Sequence, residues 1–536
     1  EHNYPDFTRT GGIISATDAF FINNRYGVQI WTYQDRKNSY NSIFRKCSFI
    51  TTEILADNSD PEFFMTLVQV QGVKIEGCIF ENSIVDGIPF VENPGSGIYS
   101  LDANYVVMNM PNPCIFTNLE YGIFATKFRD DREIKIHNSI FTNNVTGVYA
   151  SGIIGLEAYS NLFILSRYAN SPNNICGGIF LNTCTGYTIT DNTFNGTGTY
   201  VPDQIGITIN NSGEAYNVIQ DNIFNNLYIG TLAQNNNRSE DWRYGLKILC
   251  NTYISNKYDI SVTGNGCVNC GIALYQGTIN NPAGNLFSRM DSPDFENYHN
   301  ELSPIIYFHH FVRNFLVPPL WYPINPIPNP LISKENTDIP WQEGYCNGRI
   351  LETGDKTFGK DYYLSSSEVS DSLIATLSGL VDGGNTDALE SEITFAQPDE
   401  AIDLQEELLV SSPFLSDTIL IKSAEKEDVL APVMIKEIMV ANPQSAKSEK
   451  VMKALENREN PLPEYMMQEI LEGRDTLAQK EILEAEISEA EFQKEIALNR
   501  LISIFREDTI STRLDSIINL LQNQNTQTSS YQMVLT

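Results

Sequence analysis

Two aspartates occupy equivalent places in a recurring pattern, Asp191-Asn192-Thr193-Phe194 and Asp221-Asn222-Ile223-Phe224. Hydrolysis of a glycosidic bond needs two carboxyl groups about 5–10 Å apart. Equivalent residues in neighbouring turns of a stacked chain lie about 4.8 Å apart. Asp191 and Asp221 are therefore the catalytic candidates, though weak ones, because two solvated turn residues explain them more simply.

A second group suits binding rather than catalysis. Tyr168, Tyr200, Tyr228, Trp242 and Tyr244 occur near Asp203, Asn235, Asn236, Asn237, Glu240 and Asp241. Aromatic faces beside hydrogen-bonding groups match sugar rings, which have apolar C–H faces and polar hydroxyl edges. The competing account is that these aromatics pin long loops onto a scaffold. His309-His310 fits a packed or hydrogen-bonded pair better than a metal site. Cys267-Val268-Asn269-Cys270 is a lone Cys-x-x-Cys, better suited to a disulfide, with Cys176 as another partner, than to zinc. No cofactor is implied; the acidic composition suits Ca²⁺, but no motif supports a site.

The elements that position these residues recur along the first half of the chain. An aromatic follows Cys or Asn by two positions in Cys47-Ser48-Phe49, Cys78-Ile79-Phe80, Cys114-Ile115-Phe116, Asn161-Leu162-Phe163, Asn192-Thr193-Phe194, Asn222-Ile223-Phe224, Asn251-Thr252-Tyr253 and Asn285-Leu286-Phe287. Phe21 and Phe141 continue the series with Ala19 and Ser139 ahead of them. A second run in each unit opens on glycine, as in Gly122-Ile123-Phe124, Gly147-Val148-Tyr149 and Gly178-Ile179-Phe180. Period-two alternation with short turns leaves no room for crossover helices, so the pattern predicts a parallel β-solenoid. Stacking then puts the aromatics in an inward column and the asparagines in a hydrogen-bonded ladder, with glycine at tight corners. The ladder cysteines read as small buried hydrophobes. Extra residues over 54–62, 84–96, 166–176, 196–204, 229–244 and 261–270 are expected on one lateral face, where solenoids carry binding loops.

The fold class is mixed, β then α and multidomain. It comprises a right-handed parallel β-helix (a pectate-lyase-like solenoid) over residues 1–288, a Pro- and aromatic-rich cap and linker over 289–365, and an α-helical hairpin array over 366–536. A long helix is expected from about 475 to 506, packing on a further one through Leu514, Ile517, Ile518 and Leu521. The net charge of -32 opposes binding to nucleic acid or anionic membranes. No apolar run reaches the roughly 18 residues of a membrane span.

The stretches GLKILCNTYISNKYDISV (Gly245 to Val262) and NNPAGNLFS (Asn280 to Ser288) resemble large bacterial surface proteins with right-handed parallel β-helix repeats. Ser412 to Met466 resembles the helical segment that follows the β-helix in them. The resemblance implies export by the type IX route, an extracellular or outer-membrane-associated location, and a sorting domain beyond Thr536. The chain, which opens on Glu1 without an initiator Met, then reads as a piece of a longer protein. Polygalacturonase-like enzymes share the β-helix but carry Asn-Thr-Asp, Gly-His-Gly and Arg-Ile-Lys elements that do not accompany Asp130-Asp131. Pectate-lyase-like chemistry needs an acidic Ca²⁺ cluster with a basic proton acceptor, and no such set is evident. The expected function is non-enzymatic adhesion or ligand display at the cell surface. The alternative is a carbohydrate-binding or polysaccharide-degrading protein, as a lyase or glycoside hydrolase. Expected partners are surface glycans, or another protein through the helical region.

Overall fold

The structure is a computed structural model that describes residues 14–33, 42–85, 94–129, 133–165, 176–197, 204–240, 244–264, 270–289, 295–313, 319–343, 345–346 and 356–506. It forms two compact units, one mainly of residues 1–360 and the other mainly of residues 361–494.

The first unit is a parallel β-solenoid. Three strands per coil stack into three long sheets. Sheet A runs from Ser15–Thr17 to Leu246–Leu249 with nine strands, and sheet B from Phe20–Ile22 to Thr252–Ile254 with nine. Sheet C runs from Tyr26–Tyr33 to Glu296–Asn300 with ten. Every named pairing is parallel and keeps equivalent residues in register, as in Phe116↔Phe141 and Phe141↔Phe163. Pairing continues past residue 288: Glu296–Asn300 joins sheet C, and Ile305–His309 pairs with Tyr275–Gln276 and Ile332–Asn336.

Inward columns from the three sheets make the core, and two of them show the pattern most clearly. In sheet A it is Phe44, Ile75, Val107, Ile136, Ala158, Ile189, Ile219 and Ile248, all fully buried. In sheet B the aromatic series forms an unbroken stack from Phe21 to Phe287. Phe80–Phe116, Phe116–Phe141, Phe141–Phe163 and Phe163–Phe194 have centroids 4.7–4.8 Å apart and planes within 8° of parallel. The last step, Tyr253–Phe287, widens to 6.1 Å.

The asparagine ladder forms as expected. The Asn161 side-chain oxygen accepts the Ser139 backbone N–H (2.9 Å), Asn192 accepts that of Asn161 (2.9 Å), and Asn222 that of Asn192 (3.0 Å). Asn251 and Asn285 continue it at 3.0 and 2.8 Å. Each buried amide also donates to carbonyls of its own or an adjacent coil, which satisfies polar groups that water cannot reach. The ladder cysteines Cys47, Cys78 and Cys114 are free and buried, as is Cys184. Burial raises the Cys78 thiol pKa and pushes those of Cys114 and Cys184 up to about 12, so these thiols stay protonated.

The glycines serve a different purpose from the expected one. Gly97, Gly122, Gly147, Gly178, Gly206 and Gly230 do not turn corners; they lie where two coils press closest. A Cβ on Gly178 would meet the Gly206 carbonyl oxygen and the Phe194 ring, each at 2.5 Å. The stacked rings occupy the space that a side chain would need. In the last full coil Asp259 replaces this glycine. Its carboxylate is fully buried and accepts from Ser288 (Oγ 2.6 Å, N 2.8 Å), Asn256 (3.1 Å) and Asn297 (2.8 Å). Burial outweighs these donors and raises its pKa from 3.8 to about 7. The folded solenoid therefore holds a proton between those values that the unfolded chain has released, and stability falls as pH rises through that window. The denaturation midpoint of the solenoid is expected to be higher at pH 5 than at pH 8. Asp259→Asn should shrink that difference, which separates this effect from general repulsion in an acidic chain; an unchanged difference would refute the assignment.

The second unit is an array of α-hairpins. Its helices are α1 (Lys356–Leu380) from residue 361 onward, α2 (Thr386–Phe395), α3 (Ala401–Val410), α4 (Asp417–Glu425), α5 (Pro432–Ala441), α6 (Glu449–Glu456), α7 (Glu464–Leu471) and α8 (Gln479–Arg506) as far as residue 494. The starts of α2, α4, α6 and α8 are 31, 32 and 30 residues apart, so this region also repeats. Within it α2 packs on α4 and α4 on α6, while α3 packs on α5 and α5 on α7. Leu389, Leu408, Ile419, Leu420, Ile435, Ile438, Val451, Leu455 and Ile470 fill the space between the rows. Ser416 and Ser448 cap α4 and α6. The buried Arg458 guanidinium donates to the carbonyls of Ala424 and Leu430, satisfying acceptors near the end of α4 and ahead of α5. The helix expected from about 475 to 506 is α8; the further one, through Leu514 to Leu521, lies outside the described residues.

Candidate functional site

The outward-facing residues of sheet C place aromatics together. After each close-packed glycine the next residue points inward and the one after it outward. Gly97-Ile98-Tyr99, Gly122-Ile123-Phe124, Gly147-Val148-Tyr149 and Gly178-Ile179-Phe180 thus present Tyr99, Phe124, Tyr149 and Phe180, which stand in register on four successive coils. Their rings stack at 5.8, 4.9 and 5.4 Å with planes 8–18° apart, and all four are half-buried. Rings stacked in this way cover much of one another's faces, and each keeps a solvent-exposed part. Tyr121 adds a ring turned edge-on to Phe124 and Tyr149. Phe63 stacks on Tyr99 at 4.7 Å, and Tyr26 leans on Phe63, so the stripe reaches the first coil of sheet C.

A polar column runs beside it, two residues along each strand. Thr126, Ser151, Asn182, Asn210 and Gln234 are in register. Asn182 donates to the Ser151 hydroxyl (3.3 Å), Asn210 to Asn182 (2.8 Å) and Asn235 to Asn210 (2.8 Å). An apolar stripe thus runs beside a column of hydroxyls and amides on one sheet face, which offers both apolar and hydrogen-bonding contacts.

The sequence-based candidates are placed otherwise. Asp191 and Asp221 sit one coil apart at the corner between sheets A and B, with φ of 58° and 53°. The same corner holds Asp18, Lys46, Gly77, Asn138, Ser160 and Cys250, all at positive φ. Their shared property is a left-handed backbone, which Asp and Asn tolerate better than most residues. Asp191 is exposed, and Asp221 accepts from the Gln220 amide at 2.8 Å. Asp221 also lies within 4.8 Å of the Cys250 and Cys346 sulfurs, but those two are disulfide-bonded to each other and offer no thiolate to a metal.

The expected single face of insertions divides in two. The extra residues at 54–62, 84–96, 166–176 and 196–204 fall between sheets B and C. Those at 229–244 and 261–270 take in the sheet C strand Ile229–Gln234 and the end of Tyr258–Thr263, and their surplus follows sheet C. The reason is that Gly245 precedes a sheet A strand, whereas the close-packed glycine of that coil is Gly230. Tyr228 and Tyr244 therefore belong to different corners. Tyr228 packs edge-on against Tyr258 at 5.5 Å with the Lys257 ammonium over its ring, and Tyr244 packs against Tyr216 at 5.0 Å. Tyr168, Tyr200, Asp203, Asp241, Trp242, Asp130, Asp131 and Cys267 lie outside the described residues.

His309 and His310 are buried and packed, against Tyr322 at 4.9 Å and Tyr345 at 4.3 Å. Burial lowers the His309 pKa. Cys270 is disulfide-bonded. Among the described residues no helix is long and apolar enough to cross a membrane. No protein-family model, no curated protein and no solved structure matches the chain.

Proposed function

We propose that the chain is an exported cell-surface display protein whose outer sheet C face binds a linear glycan. The observation that carries this reading is the stacked stripe Tyr99, Phe124, Tyr149 and Phe180 with its parallel column of hydroxyls and amides. Stripe and column both advance one coil at a time, so the face offers repeated subsites along the solenoid axis. The net charge of -32 favours neutral over anionic glycans. Export by the type IX route and a surface location rest on the resemblance of Gly245 to Val262 and Ser412 to Met466 to secreted β-helix proteins.

Calorimetry with neutral hexasaccharides of the gluco, xylo and manno series tests the binding. Tyr149→Ala, with its fold checked by circular dichroism, is expected to weaken the bound member about tenfold, the loss of roughly 1.4 kcal/mol of ring contact. If no neutral glycan binds at millimolar concentration, or Tyr149→Ala leaves affinity unchanged, the reading is wrong.

A further inference from the structure

Sheet B turns two side chains outward from each strand, one on either side of its inward ladder ring. Register sets Ile79, Ile115, Ile140, Leu162, Thr193 and Ile223 in one row along the solenoid. A second row holds Thr117, Thr142, Ile164, Asn195, Asn225 and Ile254. Across the nine strands Glu81 is the one charged residue that faces out, and its carboxylate accepts from the Ser83 hydroxyl at 2.7 Å. The chain as a whole carries 67 acidic and 35 basic residues, so this face stands apart from its composition. No element of the chain covers it: Ile164, Ile223 and Ile254 are exposed, and the other isoleucines of the two rows are half-buried by their neighbours.

We propose that the outer face of sheet B is a self-association surface, on which a second copy of this chain seats its own sheet B. The proposal is independent of the glycan-binding reading of sheet C. Contiguous apolar surface of this extent marks interaction sites. Isoleucine and threonine have few rotamers to lose when covered, so ordering them costs little. Sheets packed face to face lie about 10 Å apart, close enough for the rows of two copies to interdigitate. Both copies share one coil repeat, so the match holds along the whole face, whereas a partner without that repeat fits it only locally. Charge favours the same occupant. Copies with a net charge of -32 repel one another, and here they meet with one carboxylate each.

The size of the face sets the strength of the contact. Nine strands at about 4.8 Å, each three residues wide, give about 400 Å² in projection from each copy, and more once side-chain relief is counted. That places the pair at the low end of specific interfaces, where association is weak and reversible.

Sedimentation velocity of the full chain, from about 1 to 200 µM, tests the pairing. A monomer–dimer equilibrium is expected, and it should tighten severalfold between about 0.01 and 0.15 M salt, since screening weakens the repulsion and spares the apolar contact. That response needs no variant. Ile164→Lys combined with Ile223→Lys, at positions 38% and 41% exposed, is expected to loosen the dimer at least about 100-fold with the circular dichroism unchanged. The added lysines reduce the net negative charge, so repulsion does not account for such a loss. Ile254→Lys alone is the milder second variant. A monomer at the highest concentration in 0.15 M salt, a dimer indifferent to these variants, or one that loosens as salt rises overturns the proposal. So does a monomer that neutral phosphatidylcholine vesicles capture through Ile164 and Ile223, which would give the face to lipid instead.

Discussion

Phe163→Ala is expected to destabilise the solenoid by about 3–5 kcal/mol, the usual cost of emptying a phenylalanine site in a core. The ring is fully buried and stacks on Phe141 and Phe194, both at 4.7 Å. Its loss leaves two ring faces without a partner and opens a void where three sheets meet. Collapse is resisted because the adjoining coils are fixed by parallel pairing on both sides. Phe21→Ala makes the comparison: that ring is half-exposed and stacks on Phe49 alone among the ladder rings, so a loss below about 1.5 kcal/mol is expected. Denaturant unfolding of the two variants measures the difference. Coils contact only their neighbours, so a weak middle step should also broaden or divide the Phe163→Ala transition. Equal losses at the two positions would show that the stack does not carry the core.

Asn192→Leu is expected to cost a similar amount, about 3–5 kcal/mol, although it exchanges a polar residue for an apolar one of similar size. Asn192 is fully buried, accepts the Asn161 backbone N–H and side-chain amide, and donates to Ala158, Thr190 and Asn222. Leucine meets none of these needs, and each buried group left without a partner costs about 1–3 kcal/mol. Loss of hydrogen-exchange protection at the Asn161 amide is the direct readout. A variant as stable as the parent would mean that water enters the corner and replaces the amide.

Much of this molecule was legible in the sequence because its strongest signals are one-dimensional. A residue repeated at one place in each coil must stack, so the Phe column and the Asn ladder could be foreseen from spacing alone. The glycine series was visible too, but its reason was not. A corner glycine and one pressed against a neighbour's carbonyl look alike in sequence, and only φ and the 2.5 Å approach separate them. Sequence alone therefore does not tell which glycine of a coil, Gly230 or Gly245, is the close-packed one, and two faces of insertions look like one.

The outward aromatics escaped notice for a related reason. Tyr99, Phe124, Tyr149 and Phe180 follow those glycines and read as scaffold, since alternation alone does not tell which parity faces inward. The helical repeat was also hidden, because its period is kept by helix starts and caps rather than by one recurring residue.

That repeat has a consequence for the history of the chain. The helical array, like the solenoid, is assembled from interchangeable segments, since α4 with α5 meets its neighbours through the same two rows as α6 with α7. A duplication or deletion of about 31 residues would restore equivalent contacts on both sides of the cut. Length is then the property that can change most freely in such a gene, and related chains can differ in reach while keeping the same joints.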